Sequence, residues 1–132
     1  MKLWGRNMVY LIDTNIIIRF LIGDNDEHLA LSSEYFRQIE NGEIQAEILS
    51  EVLMEAYFVL TKFYKIDEAE VLQDLKAILC LEGVVNRDKA ILIETLNIIE
   101  HKHIDFVDAL ICAKCRLQNY KKLSFDKDLD KC

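Results

Sequence analysis

The sequence predicts an α/β domain built on a short, mostly parallel sheet. Three observations carry this. Short runs of β-formers alternate with longer segments of helical spacing, the pattern of strand–helix–strand units. The first such run, Met8-Val-Tyr-Leu-Ile12, is apolar throughout, as a strand buried on both faces must be. The 132 residues hold no proline, four glycines and no linker-like or low-complexity stretch, so nothing marks a boundary inside the chain.

The elements follow in order. Met1 to Asn7 form a short extension, and residues 8–132 form the domain. After Asp13, the apolar run Ile16 to Ile22, broken only by Arg19, predicts a short helix before Gly23, with Thr14 as its cap. Asp26 to Glu40 places Leu29, Ala30, Tyr35, Phe36 and Ile39 near helical spacing, and Asn41-Gly42 closes that helix. Glu43 to Ala46 is a short strand. Ile48 to Lys65 is a long helix with a very apolar surface. Asp67-x-x-Glu70 has the form of a capping box opening a helix that runs to Glu82-Gly83. Val84-Val85 is another strand, Asp88 to Glu100 an amphipathic helix, and Phe106 to Leu117 a further helix capped by Asp105. Lys121 to Phe125 is a late strand, followed by an acidic tail.

Composition narrows the function. With 52% hydrophobic and 30% charged residues, the chain has enough apolar surface to fold and is no disordered segment. No apolar run exceeds five residues, which excludes a membrane-spanning helix. Lys2 and Arg6 precede no apolar signal core, so a cytoplasmic protein is expected. Cys80, Cys112, Cys115 and Cys132 are then expected as free thiols, with the Cys112/Cys115 pair packed inside a helix. Sixteen basic against 23 acidic residues give a net charge of −7. That argues against a broad basic nucleic-acid surface, but it suits an enzyme that meets nucleic acid through metal ions.

Ligands of parallel sheets sit beyond the carboxyl ends of the strands, which directs attention to Asp13 and Asp126. Thr14 and Asn15 can orient the Asp13 carboxylate by hydrogen bonds. Glu55 borders an apolar helix face, where a carboxylate is costly unless paired or bound to a cation; Glu51, one turn earlier, is its rival. Asp105 and Asp108, spaced i, i+3 at a helix start, serve as cap and dipole partner, and the same helix N-terminus would hold Asp108 ionised for a metal. Were the strands parallel neighbours, four carboxylates would converge. An all-oxygen cluster suits Mg²⁺ or Mn²⁺ rather than zinc. Arg19, Lys62, Lys65 and Arg87 are candidate phosphate contacts, with solvated surface the favoured reading of each; His101 and His103 read as partners of a helix C-terminus or a solvated turn ahead of a metal role.

Taken in order, Leu11-Ile-Asp13-Thr-Asn15, Ser50-x-x-x-x-Glu55, Asp105-Phe-Val-Asp108-Ala-Leu-Ile111 and Leu123-Ser-Phe-Asp126-Lys-Asp-Leu129 resemble a PIN-domain ribonuclease, above all the VapC-like toxins of prokaryotic toxin–antitoxin pairs. The resemblance implies a three-layer α/β/α sandwich and metal-dependent hydrolysis of RNA phosphodiester bonds. By it, Asp13, Glu55, Asp108 and Asp126 match the acidic metal-site positions, and Thr14, Asn15 and Ser124 match supporting ones. Asp105 matches a position often acidic, and Ser124 stands where threonine is frequent. The resemblance also implies Mg²⁺ or Mn²⁺ as cofactor, an antitoxin partner and a homodimer. The apolar Ile16–Ile22 and Val71–Leu81 segments would supply the interfaces.

Two rivals belong to other classes. A non-catalytic cation-binding interaction module would use the same acids structurally and bind its partner in EDTA. A phosphate-handling α/β enzyme such as a phosphatase would be marked by a phosphorylated aspartate or a phosphate-binding glycine loop, and four scattered glycines give the loop little support.

Overall fold

The computed structural model describes residues 8–132, which divide into one unit ending at Asn86 and a second spanning Arg87–Cys132. Met1 to Asn7, the expected extension, lie outside the described residues. The α/β class is observed: six α-helices and a two-strand parallel sheet among the described residues.

In the first unit, β1 (Val9–Leu11) pairs in parallel with β2 (Gln45–Glu47), with Tyr10 opposite Ala46. The Ile12 amide extends the ladder to the Glu47 carbonyl at 3.0 Å. On the other side of β2, Ala46 forms a parallel bridge to Val84, the one place where the expected Val84-Val85 strand is realised. Gly83 makes this junction possible. A Cβ there would stand 2.5 Å from the carbonyl oxygens of both Ile39 and Ile44, so no larger residue fits. Asn86 closes the region: its Nδ2 donates to the Ile48 carbonyl (2.7 Å) and its Oδ1 accepts from the Ile48 amide (2.9 Å).

Between the strands run α1 (Thr14–Ile22) and α2 (Asp26–Glu40). Asp13, not Thr14, is the N-cap of α1, and Gly23 ends the helix at φ 68°, a conformation glycine adopts without a Cβ penalty. α2 has the expected bounds. Its N-cap Asn25 accepts from the His28 amide at 2.9 Å, and the stacked rings of Phe20 and Phe36, 4.5 Å apart, clasp the two helices. Ile17, Ile39, Ile48, Leu53, Leu60, Leu72, Leu75 and Leu79 form the unit's core. Each such side chain contributes about 1.5–3 kcal/mol by leaving water.

The expected helix from Ile48 to Lys65 is divided. α3 covers Ser50–Phe58, and a π-helical turn follows at Val59–Phe63. The cause is local. The Thr61 hydroxyl donates to the Tyr57 carbonyl at 2.7 Å, and the Tyr64 amide reaches back five residues to the Val59 carbonyl at 3.0 Å. Lys65, at φ 58°, ends the segment. α4 spans Glu68–Leu79, and Asp67 is its N-cap, but the Asp67 side chain makes no capping bond, so the expected capping box does not form. Glu68 instead accepts from the Tyr57 hydroxyl at 2.6 Å, tying α4 to α3.

In the second unit, α5 (Lys89–Lys102) packs on α6 (Phe106–Gln118). His103 terminates α5 in the left-handed region, and the His101 ring bonds the Asn97 carbonyl (2.8 Å), the C-terminal roles expected of both. A 3-10 turn covers Lys127–Lys131.

Three further expectations are corrected. β1 is not buried: Val9, Tyr10 and Leu11 are 44–63% exposed, and among the described residues β2 is its one ladder partner. Lys121 to Phe125 is not a strand. It lacks a ladder partner among the described residues, and its Leu123 and Phe125 side chains are fully exposed. Cys112 is not a free thiol: it is completely buried and disulfide-bonded to Cys132, while Cys80 and Cys115 are free.

Candidate functional site

Asp13 stands where the chain leaves β1 and enters α1. Its backbone carbonyl accepts from the Ile16 amide (3.0 Å), but its exposed side chain makes no capping bond. The carboxylate thus lies at a helix N-terminus without being consumed by the helix. Thr14 follows and is 6% exposed; Asn15 is open to solvent.

Glu55 comes from the middle of α3 and meets the start of α1 across a cleft of about 320 Å³. Thr14, Asn15 and Arg19 line it from α1, and Glu55, Val59, Phe63 and Tyr64 from α3 and the π-helical turn. Glu51, the rival acid, is otherwise engaged. Its own backbone amide and the Ser50 hydroxyl, which donates to it at 3.0 Å, hold its pKa below the usual carboxylate range. It therefore serves the first turn of α3, and Glu55 is the acid that faces the cleft. Arg19 is committed on the far side to Asp24, at 2.9 Å.

The second unit holds the other acids. Asp105 is the N-cap of α6, again with no side-chain capping bond, and Asp108 lies half-buried in the first turn of that helix. Ala109 and Cys112, behind Asp108 on α6, are completely buried, which seats this face in the core. Asp126 follows Ser124, whose hydroxyl accepts from the Asp126 amide at 2.8 Å. This is a side-chain turn, not the strand end that the sequence predicts. The 3-10 turn behind it is fixed by the buried Leu129, whose carbonyl accepts from the Lys122 ammonium, and by the Cys112–Cys132 bond.

The structure therefore brings Glu55 together with Thr14 and Asn15, directly after Asp13. It sets Asp105 and Asp108 on one helix turn and Ser124 beside Asp126. Among the described residues it assembles no group of three acids, histidines or cysteines able to hold a metal ion. Sequence inspection missed Phe63 and Tyr64 as lining residues. The run Lys62-Phe63-Tyr64-Lys65, aromatic between lysines, was the available indication.

Comparison with known proteins adds one result. The family model described as the PIN domain matches residues 10–132, nearly the whole chain and both units. No curated protein and no solved structure matches.

Proposed function

We infer that this chain, which belongs to the PIN domain family, is a metal-dependent endoribonuclease and the toxin of a toxin–antitoxin pair. PIN domains are generally nucleases that need divalent metal ions, so hydrolysis of nucleic acid is the chemistry of the class. One observation carries the inference to this chain: Glu55 opens on the same cleft as Thr14 and Asn15, next to an Asp13 carboxylate that caps nothing.

The donor set fits a hard cation. The residues we assign are Asp13, Glu55, Asp108 and Asp126, all carboxylates, with Thr14, Asn15, Asp105 and Ser124 in support. Oxygen donors without thiol or imidazole suit Mg²⁺ or Mn²⁺. When bound, the metal polarises the scissile phosphate and lowers the pKa of a bound water. The chain's own work is to hold and orient. Asp13 and Asp108 are presented at the N-termini of α1 and α6, and the Ser124 hydroxyl holds the backbone of Asp126 by accepting from its amide. No nucleophilic side chain is required. On this reading residues 8–132 act as one domain in the cytoplasm; no helix among the described residues is long and apolar enough to cross a membrane. The antitoxin would enter the cleft of about 270 Å³ between α1, α2 and α4, walled by Phe20, Phe36 and Ile78, and the active form would be a homodimer. That apolar cleft also favours a second reading, a non-catalytic cation-binding interaction module.

The test is cleavage of total cellular RNA by the purified chain with Mg²⁺ or Mn²⁺. Wild type is expected to cleave and to stop in EDTA. Asp13→Asn and Asp108→Asn should each lose at least a hundredfold while their circular dichroism stays native. Undiminished cleavage by both variants would overturn the assignment. No cleavage in any metal, with partner binding unaffected by EDTA, would establish the interaction module.

A further inference from the structure

We propose that Phe63, flanked by Lys62 and Lys65, is a stacking platform for an unpaired RNA base at the mouth of the Glu55 cleft. This rests on the ribonuclease reading above and specifies its substrate.

Phe63 is 74% exposed, more than any other large apolar side chain among the described residues of its unit. It lines the same cleft as Glu55 and Asn15. Its ring is braced: Tyr64 meets it edge-on, with centroids 4.9 Å apart and planes at 81°. The backbone beneath is unusual twice over. Phe63 closes the π-helical turn, and Lys65 two residues on is in the left-handed region at φ 58° without being glycine. Such irregularities persist where the surrounding structure holds them, and they concentrate at functional sites.

The charges agree. In a chain of net charge −7, the segment Lys62 to Lys65 carries two cations and no acid. Both lysines are exposed, and neither is held in an ion pair or side-chain hydrogen bond among the described residues. Arg19, the cation that lines the cleft, is already paired with Asp24. The lysines are thus the cations left to meet phosphates, while the ring offers its face to a base. Base-on-aromatic stacking between phosphate-binding cations is how proteins grip single strands, and it tolerates sequence because every base has a π-face. A base inside a duplex has both faces covered, so the platform selects against paired RNA.

The experiment measures binding of a labelled single-stranded RNA and of its duplex by fluorescence anisotropy in EDTA, and KM for cleavage with Mn²⁺. The proteins are the parent chain, Phe63→Ala, Phe63→Leu and Phe63→Trp. The single strand should bind the parent more tightly than the duplex. Ala and Leu should weaken its binding, and raise KM, roughly ten- to hundredfold, with thermal melts unchanged at so exposed a site; Trp should restore both. Parent-like affinity in Phe63→Ala would overturn the platform, as would equal affinity for the duplex. Retention by Phe63→Leu would also overturn it, marking an apolar contact of the kind a protein partner makes. A parent chain that neither binds nor cleaves RNA would overturn the ribonuclease reading itself.

Discussion

Single side chains decide how the first unit presents its acids. Asn86 satisfies both backbone groups of the completely buried Ile48, two residues before α3 begins, and so fixes where Glu55 emerges. Asn86→Ala would leave a buried amide and a buried carbonyl unpaired, at about 1–3 kcal/mol each. We expect a loss of about 2–4 kcal/mol, read from urea unfolding with an unchanged m-value. Much at this scale was legible in the sequence. Asp13 follows a strand and precedes a helix, and Asp105 and Asp108 open a helix, because the apolar runs beside them mark these boundaries locally, although Thr14 is not the cap and neither Asp13 nor Asp105 makes a side-chain capping bond. The choice between Glu51 and Glu55 was not legible. It depends on the Ser50 hydroxyl and on the cleft opposite, which only the fold supplies.

Among the elements, helices were read better than strands. α2, α5 and α6 fall within two residues of their expected bounds, because apolar spacing and flanking caps are contained in each segment. The helix from Ile48 to Lys65 was over-extended: its apolar pattern runs on, but the Thr61 hydroxyl competes for the Tyr57 carbonyl, a bond that periodicity does not register. The Lys121–Phe125 strand failed for a non-local reason. Alternating apolar residues describe a strand only when an edge is there to receive it. The cysteines failed through a premise about compartment. Cys112 and Cys132 approach to a Cα separation of 5.4 Å, well inside bonding range. Unfolded without reductant, the protein should therefore take up two alkyl groups, at Cys80 and Cys115, and four after reduction, as counted by intact mass.

For the molecule as a whole, the family match spans both units, while the proposed ligands divide between them: Asp13 and Glu55 in one, Asp108 and Asp126 in the other. Mn²⁺ at a hundred times its Kd should stabilise the protein by about 2.7 kcal/mol, seen as a rise in melting temperature. Asp13→Asn and Asp108→Asn should each abolish that rise. Its survival in either variant would speak against the substituted residue as a ligand. The net charge of −7 is consistent with a protein that reaches phosphate through cations, and it told nothing of the small basic, aromatic segment at Lys62–Lys65. Finally, the Cys112–Cys132 bond has a consequence for the chain's integrity. The open stretch with exposed Lys121, Lys122, Leu123 and Phe125 is where a protease would nick first, and every such cut falls inside the loop that the disulfide closes. A nicked molecule therefore keeps Asp126 covalently attached, and its smaller fragment leaves only under reducing conditions.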